Sequence, residues 1–163
     1  MSITVRRVAL EEWTVLRQVR LAAMLDSPSA FGSTYERELS FTEDRWRERI
    51  ERSPWWLAWL GEQPVGIIAA FTAEPESAPA DRHVVSMWVD PVARRQGVAR
   101  ILLDTVASWS LGDGADTLSL WVADGNEPAV RLYESYGFSL TGDQAPMPSN
   151  PDRCEHYMTM ALR

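Results

Sequence analysis

Polar and apolar residues alternate over residues 3–8, and this alternation predicts an edge strand. From about Leu10 the pattern changes to helical spacing, with the repeat carried by Trp13, Leu16, Arg20 and Met24. Pro28 and Gly32 end this first helix. Ser40 to Glu43 form a capping-box pattern, so we expect a second helix to begin there and to keep a solvated charged face.

The middle of the chain contains three predicted strands. Residues 55–71 indicate two strands joined by a four-residue turn from Gly61 to Pro64. Residues 74–81 are polar and contain prolines, which is typical of a loop. Residues 82–89 predict the third strand, which Asp90 and Pro91 stop.

An amphipathic helix is predicted directly after Gly97. Its apolar face comprises Val98, Ile101, Leu102, Thr105, Val106 and Trp109. The glycines within residues 112–114 end this helix, and residues 117–124 alternate as a strand. Asn126 then caps a last helix, which Gly137 stops.

Two closing strands are predicted at residues 138–143 and 155–162. The complete order is β-α-α-β-β-β-α-β-α-β-β. Because no repeat, linker or low-complexity tract interrupts it, this order predicts a mixed α/β (α+β) fold in a single domain, residues 1–163.

The overall charge narrows the range of partners. The formal net charge is −7 at pH 7, which argues against nucleic-acid binding and against docking on anionic membranes, because both require a basic surface. No apolar run has the length of a membrane span, and the N-terminus shows no signal peptide. Cys154 is the only cysteine, which excludes an intramolecular disulfide and favours a reducing, cytoplasmic location.

The chain contains no lysine, since all sixteen basic residues are arginine. Schiff-base chemistry on a protein lysine and a Walker-type phosphate loop are therefore excluded. The two histidines, His83 and His156, are not at metal-ligand spacing, so no metal site is predicted.

Candidate chemistry is concentrated in the loop before the amphipathic helix. Residues 91–103 contain no acidic residue but three arginines, Arg94, Arg95 and Arg100, around Gly97. A helix N-terminus presents unpaired N–H groups and partial positive charge, and a glycine lets an anion approach the backbone. This pattern predicts that residues 95–100 bind a pyrophosphate or similar anion, the alternative being an ordinary solvent-exposed helix start.

Two motifs carry a family resemblance. Residues 94–99, "RRQGVA", resemble the Q/R-x-x-G-x-G/A signature of the GCN5-related N-acetyltransferase (GNAT) superfamily. Residues 126–138, "NEPAVRLYESYGF", resemble the family's later helix. The resemblance implies a GNAT-like fold, with a central mixed, mostly antiparallel sheet flanked by helices. It also implies acetyl-CoA as cosubstrate without a metal, and a primary amine of a small molecule or peptide as acceptor. Members of this superfamily often form dimers, so the resemblance is compatible with a homodimer.

The resemblance also implies how the cofactor is bound. Its pantetheine arm and acetyl carbonyl would contact the backbone of Met87, Trp88 and Val89. Its pyrophosphate would lie on the backbone N–H groups of Arg95, Gln96, Gly97, Val98 and Ala99, with charge added by Arg94 or Arg100. Asn126 would hydrogen-bond the cofactor, and Ala129 would leave room for it.

The implied reaction is a direct attack of a neutral amine on the thioester carbonyl. A backbone N–H of Met87 to Val89 would stabilise the oxyanion. Tyr133, which spacing alone makes a core aromatic, would protonate the leaving thiolate as the catalytic acid.

The general base is not evident from the sequence. Many family members use a glutamate on the fourth or fifth strand, but residues 82–89 and 117–123 contain no carboxylate. Ser86, a water relay or an acidic residue of the first two helices, such as Glu36 or Glu38, are the alternatives, although a solvated loop is the expected place of both glutamates. The missing carboxylate leaves open a catalytically weak acyl-CoA-binding regulatory module. An acyltransferase that prefers a longer acyl chain is a second alternative, which small residues near the thioester such as Ala129 do not settle.

Overall fold

The computed structural model describes residues 2–72 and 80–163, and these ranges contain one seven-stranded sheet in the order β1-β2-β3-β4-β5-β7-β6. The strands are β1 Ile3–Arg7, β2 Trp55–Leu60, β3 Gln63–Thr72, β4 Asp81–Val89, β5 Thr117–Ala123, β6 Ser139–Met147 and β7 Asn150–Ala161. The pair β4–β5 is parallel, and the other neighbours are antiparallel. The predicted mixed, mostly antiparallel sheet is therefore confirmed.

Five α-helices flank this sheet within the described ranges. They are α1 Trp13–Asp26, α2 Tyr35–Leu39, α3 Glu43–Arg52, α4 Val98–Gly112 and α5 Glu127–Tyr136. None of them has the length and apolar character that a membrane span requires.

The two faces of the sheet carry separate cores because side chains of a strand alternate between faces. Toward α4 and α5, the first core is formed by residues such as Trp56, Ala58, Ile68, Leu102 and Tyr133. Toward α1 and α3, the second is formed by residues such as Leu16, Trp46, Trp55, Leu57 and Ile67. Helices thus cover both faces of the sheet, and a gap opens between two of its strands.

That gap is a wedge between β4 and β5. The two strands pair only over three positions, Asp81–His83 with residues 117–119. Beyond them β4 contains a bulge: Ile67 pairs with Trp88 and Ala69 with Val85, and Ser86 has a positive φ of 63°. Because a bulge bends its strand, β4 turns away from β5 and leaves one backbone edge of each strand unpaired.

Two predictions of local boundaries were wrong. The β2–β3 turn has two residues, Gly61 and Glu62, because Leu60 pairs directly with Gln63. The N-cap of α3 is Thr42, whose hydroxyl accepts from the backbone of Arg45, and not Ser40.

Residues 35–39 form a helix in place of the expected loop. The closing strands β6 and β7 are longer than predicted because they pair with each other past Gly142 and Pro146, which break the local pattern. The loop predicted at residues 74–81 lies largely outside the described residues.

Candidate active site

The loop before α4 exposes a row of unpaired backbone donors. The first intrahelical bond of α4 runs from the N–H of Ile101 to the carbonyl of Gly97. No backbone N–H from Arg95 to Arg100 donates to any residue of the described ranges. Arg95 and Gly97 both have left-handed φ angles, 65° and 79°, which curve the chain around this point. Consecutive N–H groups in such a curved segment form a concave anion site.

The three arginines of this loop are in different electrostatic situations. Arg94 donates to the Val89 carbonyl at 2.9 Å and to the Asp26 carboxylate at 2.6 Å. Trp88 also donates to Asp26, and this hydrogen bond is the main cause that lowers the pKa of Asp26. Arg95 and Arg100 form no ion pair with the described residues, so they are the uncompensated charges at the anion site.

A cavity of about 720 Å³ connects this loop with the wedge between β4 and β5. Every predicted cofactor and catalytic residue except Gln96 lines it: Met87, Trp88, Val89, Arg94, Arg95, Gly97, Val98, Ala99, Arg100, Asn126, Ala129 and Tyr133. The side chain of Gln96 instead donates to the Val92 carbonyl at 3.3 Å. The structure thus brings together two motifs that lie about thirty residues apart in the chain.

Asn126 is the N-cap of α5, and Tyr133 lies within this helix. The Asn126 side chain accepts from the backbone of Ala129 at 3.4 Å and so caps the helix, as predicted. Tyr133 is buried against Phe138, with 5.7 Å between ring centroids. Burial raises the pKa of Tyr133 to about 12. The hydroxyl forms no hydrogen bond with the described residues and therefore stays available as a proton donor in the cavity.

A second cavity of about 420 Å³ lies on the α2 and α3 side of the sheet. It shares Ala30, Phe31 and Trp121 with the first cavity, so the two meet at the wedge. Its floor includes Phe71, His83 and Glu155 of the sheet, and its wall includes Arg37, Phe41, Arg45 and Arg49 of the helical segment. A molecule in this second cavity can reach a group held at the wedge.

A buried ion network supports the second cavity. Glu38 is 2% exposed and accepts two hydrogen bonds from Arg20, at 2.9 and 3.0 Å, and one from Arg49 at 2.9 Å. Although burial itself acts to raise the pKa of Glu38, the two guanidinium groups outweigh it and lower this pKa to about 2. Arg20 also donates to Ser86 at 2.9 Å, which holds the β4 bulge in place. Glu38 and Ser86 are therefore committed to structure, and the expectation of a solvated Glu38 was wrong.

Glu38→Gln is expected to lower the free energy of unfolding by about 3 kcal/mol at pH 7, because two buried guanidinium groups lose their carboxylate. Since the folded pKa of Glu38 lies below its ordinary value of 4.5, its contribution is complete above that pH and is lost as the pH falls toward 2. Urea denaturation at pH 7 and pH 3 measures both effects. Glu48→Gln, which removes an exposed carboxylate on α3, is the control and should cost under about 0.5 kcal/mol. An equal loss at both pH values for Glu38→Gln would contradict the assignment.

Sequence reasoning missed a hydrogen-bonded relay on the floor of the second cavity. Ser119 donates to the Asp81 carboxylate at 2.5 Å, and Thr117 donates to the same carboxylate at 2.9 Å. His83 Nδ1 lies 2.9 Å from Ser119 Oγ. Because the Ser119 proton points to Asp81, Ser119 must accept from His83 Nδ1–H. The remaining nitrogen, Nε2, then carries the lone pair.

Burial also lowers the pKa of His83 below its ordinary value of 6.5, so the neutral ring is the form present at pH 7. Nε2 forms no hydrogen bond with the described residues, and the ring lines the second cavity. A neutral imidazole with a fixed tautomer and an unpaired lone pair is suited to accept a proton. The only sequence signal was an isolated histidine on β4. Ser119 lies 36 residues from His83 and 38 residues from Asp81 in the chain, so no local pattern connects the three residues.

The described residues hold no group of three or more histidine, cysteine, aspartate or glutamate side chains that could bind a metal ion. His156 is instead paired with Asp124 at 2.9 Å.

Comparisons with known proteins agree with this geometry. The sequence profile of the Acetyltransferase (GNAT) family matches residues 17–138. Peptidyl-lysine N-acetyltransferase YjaB from Escherichia coli (strain K12) is 29% identical over 144 residues, which are 87% of this chain and 86% of YjaB.

Two solved structures share the fold. An acetyltransferase of the GNAT family from Streptococcus pneumoniae superposes with a TM-score of 0.84 at 16% identity and covers 99% of this chain and 100% of its own. The structure of yncA from Salmonella typhimurium with its cofactor acetyl-CoA gives a TM-score of 0.81 at 16% identity, with 100% of this chain and 95% of yncA covered.

Proposed function

The chain belongs to the Acetyltransferase (GNAT) family, and from this premise we propose that it is an acetyl-CoA-dependent N-acetyltransferase acting on a primary amine of a small molecule or peptide. The observation that carries the proposal is the row of unpaired N–H groups from Arg95 to Arg100, which opens into a cavity leading to the wedge between β4 and β5.

The residues of the first cavity are chemically suited to the successive parts of acetyl-CoA. The N–H groups of Arg95 to Ala99 bind the pyrophosphate, and Arg95 and Arg100 add uncompensated positive charge. Arg94 fixes the loop through Asp26 and the Val89 carbonyl. The open backbone edge of β4 around Met87 to Val89 pairs with the amides of the pantetheine arm.

The second cavity receives the amine. His83 Nε2 takes a proton from the ammonium form, directly or through a water, because only the neutral amine has the lone pair needed for attack. A backbone N–H of Met87 to Val89 stabilises the negative charge that develops on the carbonyl oxygen. Tyr133 donates its hydroxyl proton to the departing thiolate, and its raised pKa keeps that proton in place until the sulfur leaves. The nitrogen loses its surplus proton as the tetrahedral intermediate collapses, and this proton restores the Tyr133 hydroxyl. The products are an amide and a free thiol, and His83 releases the proton it took from the ammonium group to solvent.

The alternative function is a catalytically weak acyl-CoA-binding regulatory module. The absence of a carboxylate from residues 82–89 and 117–123 leaves this alternative open. The His83–Ser119–Asp81 relay supplies a base in that region and so favours the enzyme.

Acetyl-CoA is expected to raise the unfolding midpoint by several degrees. A ligand at about 100 times its dissociation constant stabilises the native state by about 2.7 kcal/mol. In a domain of this size each kcal/mol corresponds to about 2–4 °C. The measurement is a thermal unfolding scan with acetyl-CoA, with ADP and free acetate as controls, followed by thiol release with a panel of primary amines. No shift at millimolar acetyl-CoA would overturn the proposal, and a shift without thiol release for any amine would favour the regulatory module.

A further inference from the structure

The second cavity differs in charge from the rest of the protein. Its lining contains four guanidinium groups, those of Arg20, Arg37, Arg45 and Arg49, and the carboxylates of Glu38 and Glu155. The cavity therefore has an excess of positive charge inside a chain whose net charge is −7. A pocket lined in this way attracts anionic groups and repels a purely cationic acceptor.

Two of the four arginines are available to a ligand. Arg20 and Arg49 are committed to Glu38. Arg37 forms no ion pair within the described residues, and Arg45 has only a half-exposed partner, Glu48, at 3.3 Å. Solvent-exposed pairs of this kind contribute little, so the Arg45 guanidinium can exchange Glu48 for a ligand.

An aromatic ring keeps these guanidinium groups together. The ring centroid of Phe41 lies 5.8 Å from the Arg37 guanidinium, 5.4 Å from that of Arg45 and 5.5 Å from that of Arg49. Cation–π contacts let three like charges gather around one ring. The result is a cluster of forked donors on the helical wall, the geometry that binds carboxylates and phosphates in a bidentate way.

The floor of the same cavity, which the sheet provides, has the reverse character. His83 and Glu155 come from the sheet, and Glu155 forms no ion pair with the described residues. An ammonium group is favoured on this side, close to the base that deprotonates it. The cavity thus separates a site for an amine on the sheet from a site for an anion on α2 and α3.

We propose that the acceptor is a small primary amine that also carries an anionic oxygen group, of the amino-acid class, with its carboxylate bound by Arg37 and Arg45. This inference rests on the proposed N-acetyltransferase function and specifies its substrate class. The volume of about 420 Å³ lies in the usual range for small-molecule sites. Transfer forms the bond from the amine nitrogen to the acetyl carbon and breaks the thioester bond, while the carboxylate stays unchanged.

The test compares acceptors that differ only in the anionic group. L-amino acids are assayed beside their amino-acid amides and beside aminoalkylphosphonates, with acetyl-CoA and thiol release as the readout. We expect kcat/KM for the preferred amino acid to exceed that for its amide by about tenfold or more, since hydrogen bonds to charged groups are the strong ones. Activity on the phosphonates would show that the site takes anionic oxygen groups in general.

Arginine variants distinguish binding of the acceptor's carboxylate from a loss of activity toward every acceptor. Arg37→Gln and Arg45→Gln should each lower kcat/KM for the amino acid by about tenfold and leave the amide within about twofold. Arg47→Gln is the matched control on α3, because Arg47 pairs with Glu43 and does not line the cavity. It should change neither substrate.

A binding measurement keeps the test independent of turnover. Calorimetry with CoA present compares the N-acetyl amino acid, which has a free carboxylate, with the corresponding N-acetyl amino-acid amide, which has none. We expect the product with the carboxylate to bind at least tenfold more tightly. Amino-acid amides or simple alkylamines, which lack an anionic group, overturn the inference if their kcat/KM matches or exceeds that of the amino acids, and this result leaves the proposed N-acetyltransferase function intact. A lack of thiol release with every amine contradicts the proposed function instead. The calorimetric comparison of the two acetylated products then still tests whether Arg37 and Arg45 bind a carboxylate.

Discussion

Gly97→Glu is expected to weaken acetyl-CoA binding by at least about a hundredfold. A Cβ at Gly97 would meet no atom within 4 Å, so the protein itself has space for a side chain. The loss arises from the charge, because a carboxylate at the centre of the N–H row repels the pyrophosphate. At about 4 Å and an effective dielectric constant of about 20, two like charges repel by about 4 kcal/mol, more than the roughly 2.7 kcal/mol of a hundredfold loss.

Gly97→Gln is the matched control, because glutamine has the same shape without the charge. Both variants share the strain of a left-handed residue at this position, where φ is 79°. Calorimetric titration of acetyl-CoA into each variant therefore isolates the electrostatic part, and unfolding scans without ligand verify that both are folded. Equal affinities of the two variants would show that the pyrophosphate does not bind at this loop.

His83→Gln is expected to lower kcat by about two to three orders of magnitude, the range in which a positioned general base contributes. Glutamine can still accept from or donate to Ser119, so the floor of the cavity keeps its packing. Affinity for acetyl-CoA should be unchanged, because His83 does not line the first cavity.

The pH dependence of kcat gives the second readout for His83. The neutral ring is the active form and its pKa lies below 6.5, so the rate should stay level from neutral pH down to below that value and then fall. Tyr133 adds no loss on the alkaline side until its pKa of about 12 is approached. His156→Gln, which changes the other histidine outside both cavities, should leave the profile unaltered. An acid limb that persists in His83→Gln would assign the titration to another group.

Local sequence was sufficient where the chemistry is contiguous. The loop from Arg94 to Arg100 joins a strand to a helix start, and every contributing group lies within seven residues. Asn126 likewise caps α5 through a partner three residues ahead. Short-range patterns of this kind depend on backbone geometry, which the residues themselves dictate.

The surroundings of Glu38 and His83 could not be predicted from the sequence. Glu38 looked like a solvated residue of a loop, and its two arginine partners lie 18 and 11 residues away. His83 looked like an isolated histidine, and its tautomer is fixed only because the parallel pairing of β4 and β5 places it beside Ser119.

The sequence by itself therefore determined the family and the order of the strands and of every helix except α2, and it predicted the loop from Arg94 to Arg100 as an anion site. Tertiary structure decided which polar groups are buried together, which of them keep a free lone pair, and where the second cavity carries its positive charge. The physical reason is that helix periods and caps are set by neighbours in the chain, whereas desolvation and long-range ion pairs depend on which strands and helices pack against each other.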